Sequence, residues 1–201
     1  MFIRNMLYRL AHLLKERFPF LWDCIENVNS WLFFLMNRKK LRQIPKVLQK
    51  WSESYEFREA TLDDVAELVS FFDKQPLDAL KFFHPHGFDE SSILKVIKNK
   101  AFLTFVVLHG QKIVGYFFLR CYLNGKGFRG RIVDNSWNNK GIGKMMSLVL
   151  SQVAETLGVR LYSSISPQNY ASLASTKATT HFKIIKTLPN GYYYIEILPK
   201  K

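Results

Sequence analysis

Residues 133–144 read VDNSWNNKGIGK, and this stretch decides the fold because it joins a predicted strand to a predicted long helix. The strand covers residues 127–133, and the helix runs from about residue 141 to residue 157, where Gly158 ends it. A helix start offers unpaired N–H donors and a partial positive charge, and Gly141 and Gly143 let a ligand approach the backbone closely. Lys140 and Lys144 add positive charge. The stretch predicts a phosphate site; tight packing of the helix on a sheet is the alternative reason for its glycines.

The predicted helices and strands around this stretch alternate in an order that indicates an α/β (α+β) fold. Hydrophobic periodicity predicts strands at residues 55–59, 102–108, 113–123, 127–133, 159–164, 182–187 and 192–198. It predicts helices at residues 61–73, 76–83, 89–99, 141–157 and 168–179, with Thr61 and Asp89 as N-caps. Hairpin signals between several strands favour a mixed, mostly antiparallel sheet flanked by helices. We predict one domain over residues 52–201, preceded by a helical extension over residues 1–51.

The net charge of +13 is concentrated in the extension and predicts an anionic partner. Residues 1–50 contain ten Lys and Arg but only three Asp and Glu. These basic residues are interspersed with Leu, Phe and Trp, which is unlike the aromatic and basic platforms of most nucleic-acid binders. Helices of this composition can lie on an anionic membrane surface, and packing on the domain or on a second copy is the alternative.

The extension is predicted as three helical stretches, at residues 2–21, 21–36 and 38–51, with breaks near Pro19 and Pro45. Its longest apolar run, residues 31–36, is far short of the roughly 20 residues that span a bilayer. The start of the chain does not resemble a signal peptide, because four basic residues interrupt its apolar stretch. Cys24 and Cys121 are too few and too distant for a disulfide framework, which favours a reducing, cytoplasmic location.

Residues 133–144 resemble the acyl-CoA signature of the GNAT superfamily, in which Q/R-x-x-G-x-G/A follows the fourth strand. Gly141 and Gly143 match its glycines, Asn138 takes the Q/R position, and Asn139 replaces a common glycine. The element order resembles the family over nearly all of residues 55–198. The resemblance implies acetyl-CoA as co-substrate, which contacts a set of main-chain and side-chain groups. These belong to Val133, Asn138, Asn139, Lys140, Gly141, Ile142, Gly143, Lys144 and Asn169.

Three side chains are candidates for the proton transfers of amine acetylation. His84 and His86 flank Pro85 in the segment that, by the resemblance, lines the acceptor cleft, and histidine titrates in the useful pH range. No cysteine or acid is spaced to complete a metal centre with them, so no metal is predicted. Asp134 could orient the amine or simply cap the turn that follows the fourth strand. The resemblance places the family's thiolate-protonating tyrosine near Thr176, where this sequence has none.

These features predict direct transfer of acetyl from acetyl-CoA to an amine. The acceptor class is a small molecule, an amino sugar or a glycan precursor at the inner membrane surface, where the enzyme would be peripheral. A non-catalytic membrane-surface scaffold and a protein- or ribosome-associated acetyltransferase are the alternatives.

Overall fold

The computed structural model describes residues 19–198, and the side chains from residue 24 onward. The strands are β1 (Glu56–Glu59), β2 (Phe102–His109), β3 (Lys112–Cys121), β4 (Lys126–Val133), β5 (Arg160–Ile165), β6 (His181–Thr187) and β7 (Tyr193–Leu198). The helices are α1 (Pro19–Leu41), α2 (Ile44–Gln49), α3 (Val65–Asp73), α4 (Leu77–Leu80), α5 (Glu90–Lys98), α6 (Ile142–Leu157) and α7 (Tyr170–Thr179). Two 3₁₀ turns precede α3 and α6, at Leu62–Asp64 and Asn135–Trp137.

The strands form one sheet in the order β1-β2-β3-β4-β5-β7-β6. Every neighbouring pair is antiparallel except β4 and β5, which are parallel. The predicted mixed, mostly antiparallel sheet is therefore confirmed. A parallel pair needs a crossover connection, and α6 provides it between β4 and β5.

Two hydrophobic clusters cover the two faces of the sheet. One cluster joins α6, α2 and part of α1 to one face, and Met146 and Leu150 are fully buried in it. The other joins α3 and α5 to the opposite face around Leu68 and Phe72. Side chains alternate along β4, so Phe128 and Ile132 face the second cluster while Val133 packs against the first.

The predicted N-cap Asp89 is confirmed, and the predicted cap Thr61 is the N-cap of the 3₁₀ turn that leads into α3. Asp89 caps α5 by accepting a hydrogen bond from the Ser92 amide at 3.0 Å. Thr61 starts the turn before α3, where its own amide donates to the Asp64 carboxylate at 2.7 Å. That carboxylate also accepts two 2.7 Å hydrogen bonds from Arg58, which ties the end of β1 to the helix.

The predicted helix break near residues 36–38 is wrong, because α1 continues through it to Leu41. Tertiary contacts hold this last turn, where the Lys40 ammonium donates to the Leu157 carbonyl at 2.7 Å. Further contacts join Glu26 to Arg120 by a salt bridge and the Lys100 amide to Ser30 Oγ at 2.8 Å. The predicted helix at residues 2–21 lies mostly outside the described residues.

Both described helices of the extension pack on the domain, which was one of the two alternatives for them. Phe33 in α1 is 2% exposed, and Ile44, Val47 and Leu48 of α2 are buried in the same cluster as α6. The hydrophobic core therefore continues across the predicted domain boundary between residues 51 and 52.

Candidate functional site

A wedge-shaped gap between β4 and β5 opens into a large cleft. The two strands pair with each other only from Lys126–Arg160 to Phe128–Tyr162. Beyond these residues both strands continue, but they no longer pair with each other. At the closed end of the gap, the Ser163 hydroxyl donates to the Arg129 carbonyl at 3.2 Å. The gap widens toward the start of α6.

The gap belongs to a cleft of about 1180 Å³, which is large enough for a ligand of coenzyme size. One wall is formed by the start of α6, the loop before it, the end of β5 and α7. The opposite wall comes from the segment after α4, where Phe82, Phe83 and His84 line the cleft with Phe118 and Phe128 of the sheet.

The start of α6 and the loop before it contain a run of unused N–H donors, most of them on residues that line this cleft. Asn139 and Gly141 have positive φ angles of 63° and 81°, which turn the chain sharply just before the helix. Within the described residues, no hydrogen bond uses the amides of Asn139, Lys140, Gly141, Ile142 or Gly143. The amide of Lys144 differs, because it donates to the Gly141 carbonyl at 3.0 Å. Of the six predicted cradle amides, all but the last are free to bind an anion.

Gly143 keeps the entrance to the gap open. A Cβ at this position would lie 3.8 Å from both Ser175 Oγ and Val133 Cγ2 and 4.0 Å from Arg131 Nε. A methyl group would therefore fit without a clash, but it would occupy the space between α6, α7 and β4.

The other predicted coenzyme residues are placed in different ways. Val133, Asn138 and Asn169 line the cleft. Asn138 donates its side-chain amide to Asn135 Oδ1 at 3.0 Å, and Asn169 caps α7 by accepting from the Ser172 amide at 3.0 Å. Lys144 lines the cleft, whereas Lys140 does not, because its ammonium lies 3.9 Å from the centre of the Trp137 ring.

The structure separates the two histidines of the 84–86 loop. The exposed His84 lines the cleft, but His86 does not and is instead directed toward the second hydrophobic cluster. His86 Nδ1 lies 2.6 Å from the Gly87 carbonyl, which can only accept, so the proton must be on Nδ1. Burial lowers the pKa of His86 and keeps its ring neutral.

Asp134 is held in the turn after β4 and does not line the cleft. Its carboxylate accepts from the Ser136 amide at 2.8 Å and lies 3.2 Å from the Lys112 ammonium. Partial burial acts to raise its pKa, but hydrogen bonds from Ser136 and Lys112 outweigh it, and the pKa lies below its ordinary value. Two roles were predicted for Asp134, and these contacts match the capping of the turn.

Sequence reasoning missed two arginines in the cleft, Arg129 and Arg131 of β4. Burial lowers the pKa of Arg131 to about 10. Burial and then the charge of Arg131 lower the pKa of Arg129 well below its ordinary value. The signal that could have found them is two arginines at alternate positions of a predicted strand in the middle of the sheet. Such a spacing puts both on one face.

The described residues contain no group of three or more His, Cys, Asp and Glu side chains that could hold a metal ion. Among the helices over residues 19–198, none combines the length and apolar character needed to cross a membrane.

Comparison with solved structures places this architecture among acetyltransferases, although no family model and no curated protein matches the sequence. PaiA N-acetyltransferase from Thermoplasma acidophilum, solved with coenzyme A, superimposes with a TM-score of 0.61 at 15% identity. The match covers 74% of this chain and 100% of that one. The GNAT domain of PAT from S. lividans gives a TM-score of 0.62 at 14% identity and covers 72% of this chain and 90% of that one.

The aminoglycoside acetyltransferase AAC(6')-Ib, solved with paromomycin and acetyl-CoA, gives a TM-score of 0.58 at 14% identity. That match covers 74% of this chain and 94% of the other. At identities this low, what the proteins share is the fold. The chain described here has the fold of the GNAT N-acetyltransferases, as residues 133–144 predicted.

Proposed function

We propose that this protein transfers an acetyl group from acetyl-CoA to an amine. The observation that carries the proposal is the run of free amides from Asn139 to Gly143 at the mouth of the gap between β4 and β5. A diphosphate bound by these amides would direct the pantetheine arm into the gap. The unpaired edge of β4 beyond Phe128 offers main-chain groups to that arm, Val133 among them.

The chemistry is a direct attack of the amine nitrogen on the thioester carbonyl carbon. A C–N bond forms, the C–S bond breaks, and the coenzyme leaves as a thiolate that takes a proton from solvent. The gap holds the amine and the thioester in line, which supplies a large part of the acceleration. A main-chain N–H of β4 stabilises the oxyanion that forms on the way.

His84 is the side chain best placed to accept the proton of the amine. It lines the cleft on the wall opposite the start of α6 and is exposed, so substrate or a bridging water can reach it. His86 and Asp134 have their hydrogen-bonding groups occupied and lie outside the cleft lining.

Calorimetry with acetyl-CoA, followed by acetyl transfer to a panel of amines, tests this function. We expect saturable binding and release of free coenzyme thiol that depends on the amine. Binding without turnover would favour a non-catalytic scaffold with the same fold. The absence of saturable binding to the folded protein would refute acetyl transfer and would also leave the non-catalytic scaffold as the remaining function of this fold.

The acceptor wall suits a ring-shaped amine such as an amino sugar. Phe82 and Phe128 offer flat apolar surface, and the carboxylate of Asp78 lines the same region. An amino group carries a positive charge before it reacts, and Asp78 would attract it.

We infer that the outer face of α1 contacts an anionic membrane and brings the enzyme to membrane-bound glycan precursors. Exposed apolar residues recur along this face at helical spacing; they are Ile25, Val28, Trp31, Leu35 and Met36. Exposed Arg38, Lys39 and Arg42 follow at the end of the helix. Apolar side chains next to a basic group are the combination that binds an anionic interface.

A further inference from the structure

The guanidinium of Arg129 is buried in the cleft without the partners that a charged group normally has. Arg129 is 1% exposed and lines the gap between β4 and β5. Its Nη1 donates to the Ser147 carbonyl over a long 3.4 Å, while Nε and Nη2 have no hydrogen-bond partner among residues 19–198. Nearby on α7, the buried Ser175 hydroxyl also lacks a partner within the same residues.

Arg131 adds a second positive charge on the same face of β4. Its Nη2 lies 3.4 Å from Thr176 Oγ1, and its Nε would lie 4.0 Å from a Cβ placed on Gly143. No carboxylate of the described chain forms a salt bridge with either arginine. The buried guanidinium of Arg129 and the half-buried one of Arg131 lack a counter-ion among the described residues and raise each other's electrostatic energy.

This arrangement calls for an anionic ligand. A guanidinium keeps its proton in proteins, so Arg129 cannot escape the cost of burial by becoming neutral. A carboxylate would offset that cost, because its two oxygens match the planar fork of free N–H groups.

The position of Arg129 indicates which part of a substrate would carry the carboxylate. The free amides that would bind the diphosphate lie at the open end of the gap. Arg129 lies at the closed end, directly after the last residue of β4 that pairs with β5. A pantetheine arm that enters at α6 therefore points its acyl end toward Arg129. The acceptor wall with His84 and Phe83 adjoins the other face of β4, to which Phe128 belongs.

We propose that Arg129, supported by Arg131, binds the terminal carboxylate of a dicarboxylic acyl-CoA. Such a thioester would be preferred over acetyl-CoA. This proposal rests on the acyl transfer proposed above. The amine nitrogen bonds to the thioester carbon, the C–S bond breaks, and the distant carboxylate remains unchanged. The product is an amide that keeps a free carboxylate.

The first test compares succinyl-CoA with butyryl-CoA, whose acyl chain has the same length but no charge. In calorimetry with the full chain, we expect succinyl-CoA to bind at least about tenfold more tightly, as a charge-assisted hydrogen-bonded pair provides. Equal Kd values would overturn the carboxylate site while leaving acyl-CoA binding intact. Failure to bind either thioester, or acetyl-CoA, would instead remove the proposed function itself.

The variant Arg129→Met assigns the preference to this residue. We expect it to bind butyryl-CoA as the wild type does and to lose the preference for succinyl-CoA. An equal loss for both thioesters would mean that Arg129 contacts the common coenzyme part or supports the fold, and would overturn the proposal. Arg160→Met, at an exposed arginine that starts β5, is the matched control and should keep the preference.

Arg129→Lys keeps the test decisive if the methionine variant does not fold. Lysine retains the charge but lacks the planar fork, so we expect only part of the preference to remain. A preference equal to that of the wild type would contradict carboxylate binding by the fork.

Discussion

His86 Nε2 lies 2.8 Å from the hydroxyl of Tyr116, and the two side chains join the loop after α4 to the centre of the sheet. Since Nδ1 carries the proton that goes to the Gly87 carbonyl, Nε2 is the acceptor and Tyr116 the donor. The lone pair that a general base would use is therefore already occupied. His86 positions the loop, and His84 is left facing the cleft.

The half-buried, neutral state of His86 predicts a loss of stability in mild acid. Burial lowers its pKa in the folded chain, so the unfolded chain binds the proton more readily. The contribution of neutral His86 to the free energy of unfolding should be complete above the unfolded pKa of about 6.5. The free energy of unfolding should fall as the pH drops below that value. Urea unfolding at several pH values between neutral and mildly acidic measures this.

The variant His86→Gln isolates this effect from the carboxylates. The lowered pKa values of Asp64 and Asp134 produce losses only at lower pH, and the variant retains them. We expect the stability of the variant to change less between neutral and mildly acidic pH than that of the wild type. Parallel pH curves would contradict a neutral, half-buried His86.

Replacing His84 should slow catalysis without weakening coenzyme binding. We expect His84→Gln to lower kcat by about a hundred- to ten-thousandfold, which is the usual contribution of a general base. The Kd for acetyl-CoA should stay unchanged, because His84 lies on the wall opposite the amides of α6. Steady-state kinetics with an accepted amine, together with calorimetry, separates the two quantities. An unaltered kcat would exclude His84 as the base.

Gly143→Asp should abolish coenzyme binding. The new carboxylate would point into the space between Val133, Ser175 and Arg131, where it repels a diphosphate and competes for the free amides. We expect Kd for acetyl-CoA to rise by at least about a hundredfold, whereas Gly143→Ala should cost less than about tenfold because a methyl group fits there. Calorimetry on each folded variant gives both values.

Asn124→Asp is the control for the added charge. It changes the net charge by the same amount in the exposed turn before β4 and can still accept from the Lys126 amide. Its affinity for acetyl-CoA should equal that of the wild type. Wild-type affinity in Gly143→Asp would mean that the diphosphate binds elsewhere.

Helix α1 should contribute to the stability of the whole domain. Phe33 is 2% exposed and belongs to the core that includes α6, so Phe33→Ala should lower the free energy of unfolding by about 3–5 kcal/mol. Met36→Ala, at a position of the same helix that is 71% exposed, should leave it nearly unchanged. Chemical denaturation compares the two, and similar small effects would show that α1 detaches readily.

The exposed stripe of α1 should be needed for membrane binding. The double variant Trp31→Ser/Leu35→Ser should lose most of its binding to phosphatidylserine vesicles in flotation, because the apolar contacts are removed while the basic residues remain. Binding of the wild type should weaken as salt increases, since the surface charges are screened.

A matched double variant, Leu77→Ser/Tyr170→Ser, removes exposed apolar residues elsewhere on the surface and should float like the wild type. Equal flotation of both double variants would refute the membrane face. If RNA retains the wild type but not the α1 variant, the result would instead favour a ribosome-associated enzyme.

The sequence by itself determined the fold, and it predicted a phosphate site at the start of α6. Hydrophobic periodicity and turn residues are local properties, so the order of strands and helices could be read directly. Gly141 and Gly143 could be interpreted because their chemistry depends only on a strand before them and a helix after them. The same local reasoning correctly predicted Asp89 as the cap of α5 and placed Thr61 at the start of the turn that leads into α3.

Only the tertiary structure decided where individual side chains point and what they meet. His84 and His86 are equivalent in sequence, but the conformation of their loop sends one into the cleft and the other to Tyr116 on a distant strand. Arg129 is buried because β4 lies in the middle of the sheet beneath α6, and its missing partners become visible only when every neighbour is in place. Such contacts join residues far apart in the chain, and local sequence patterns do not record them.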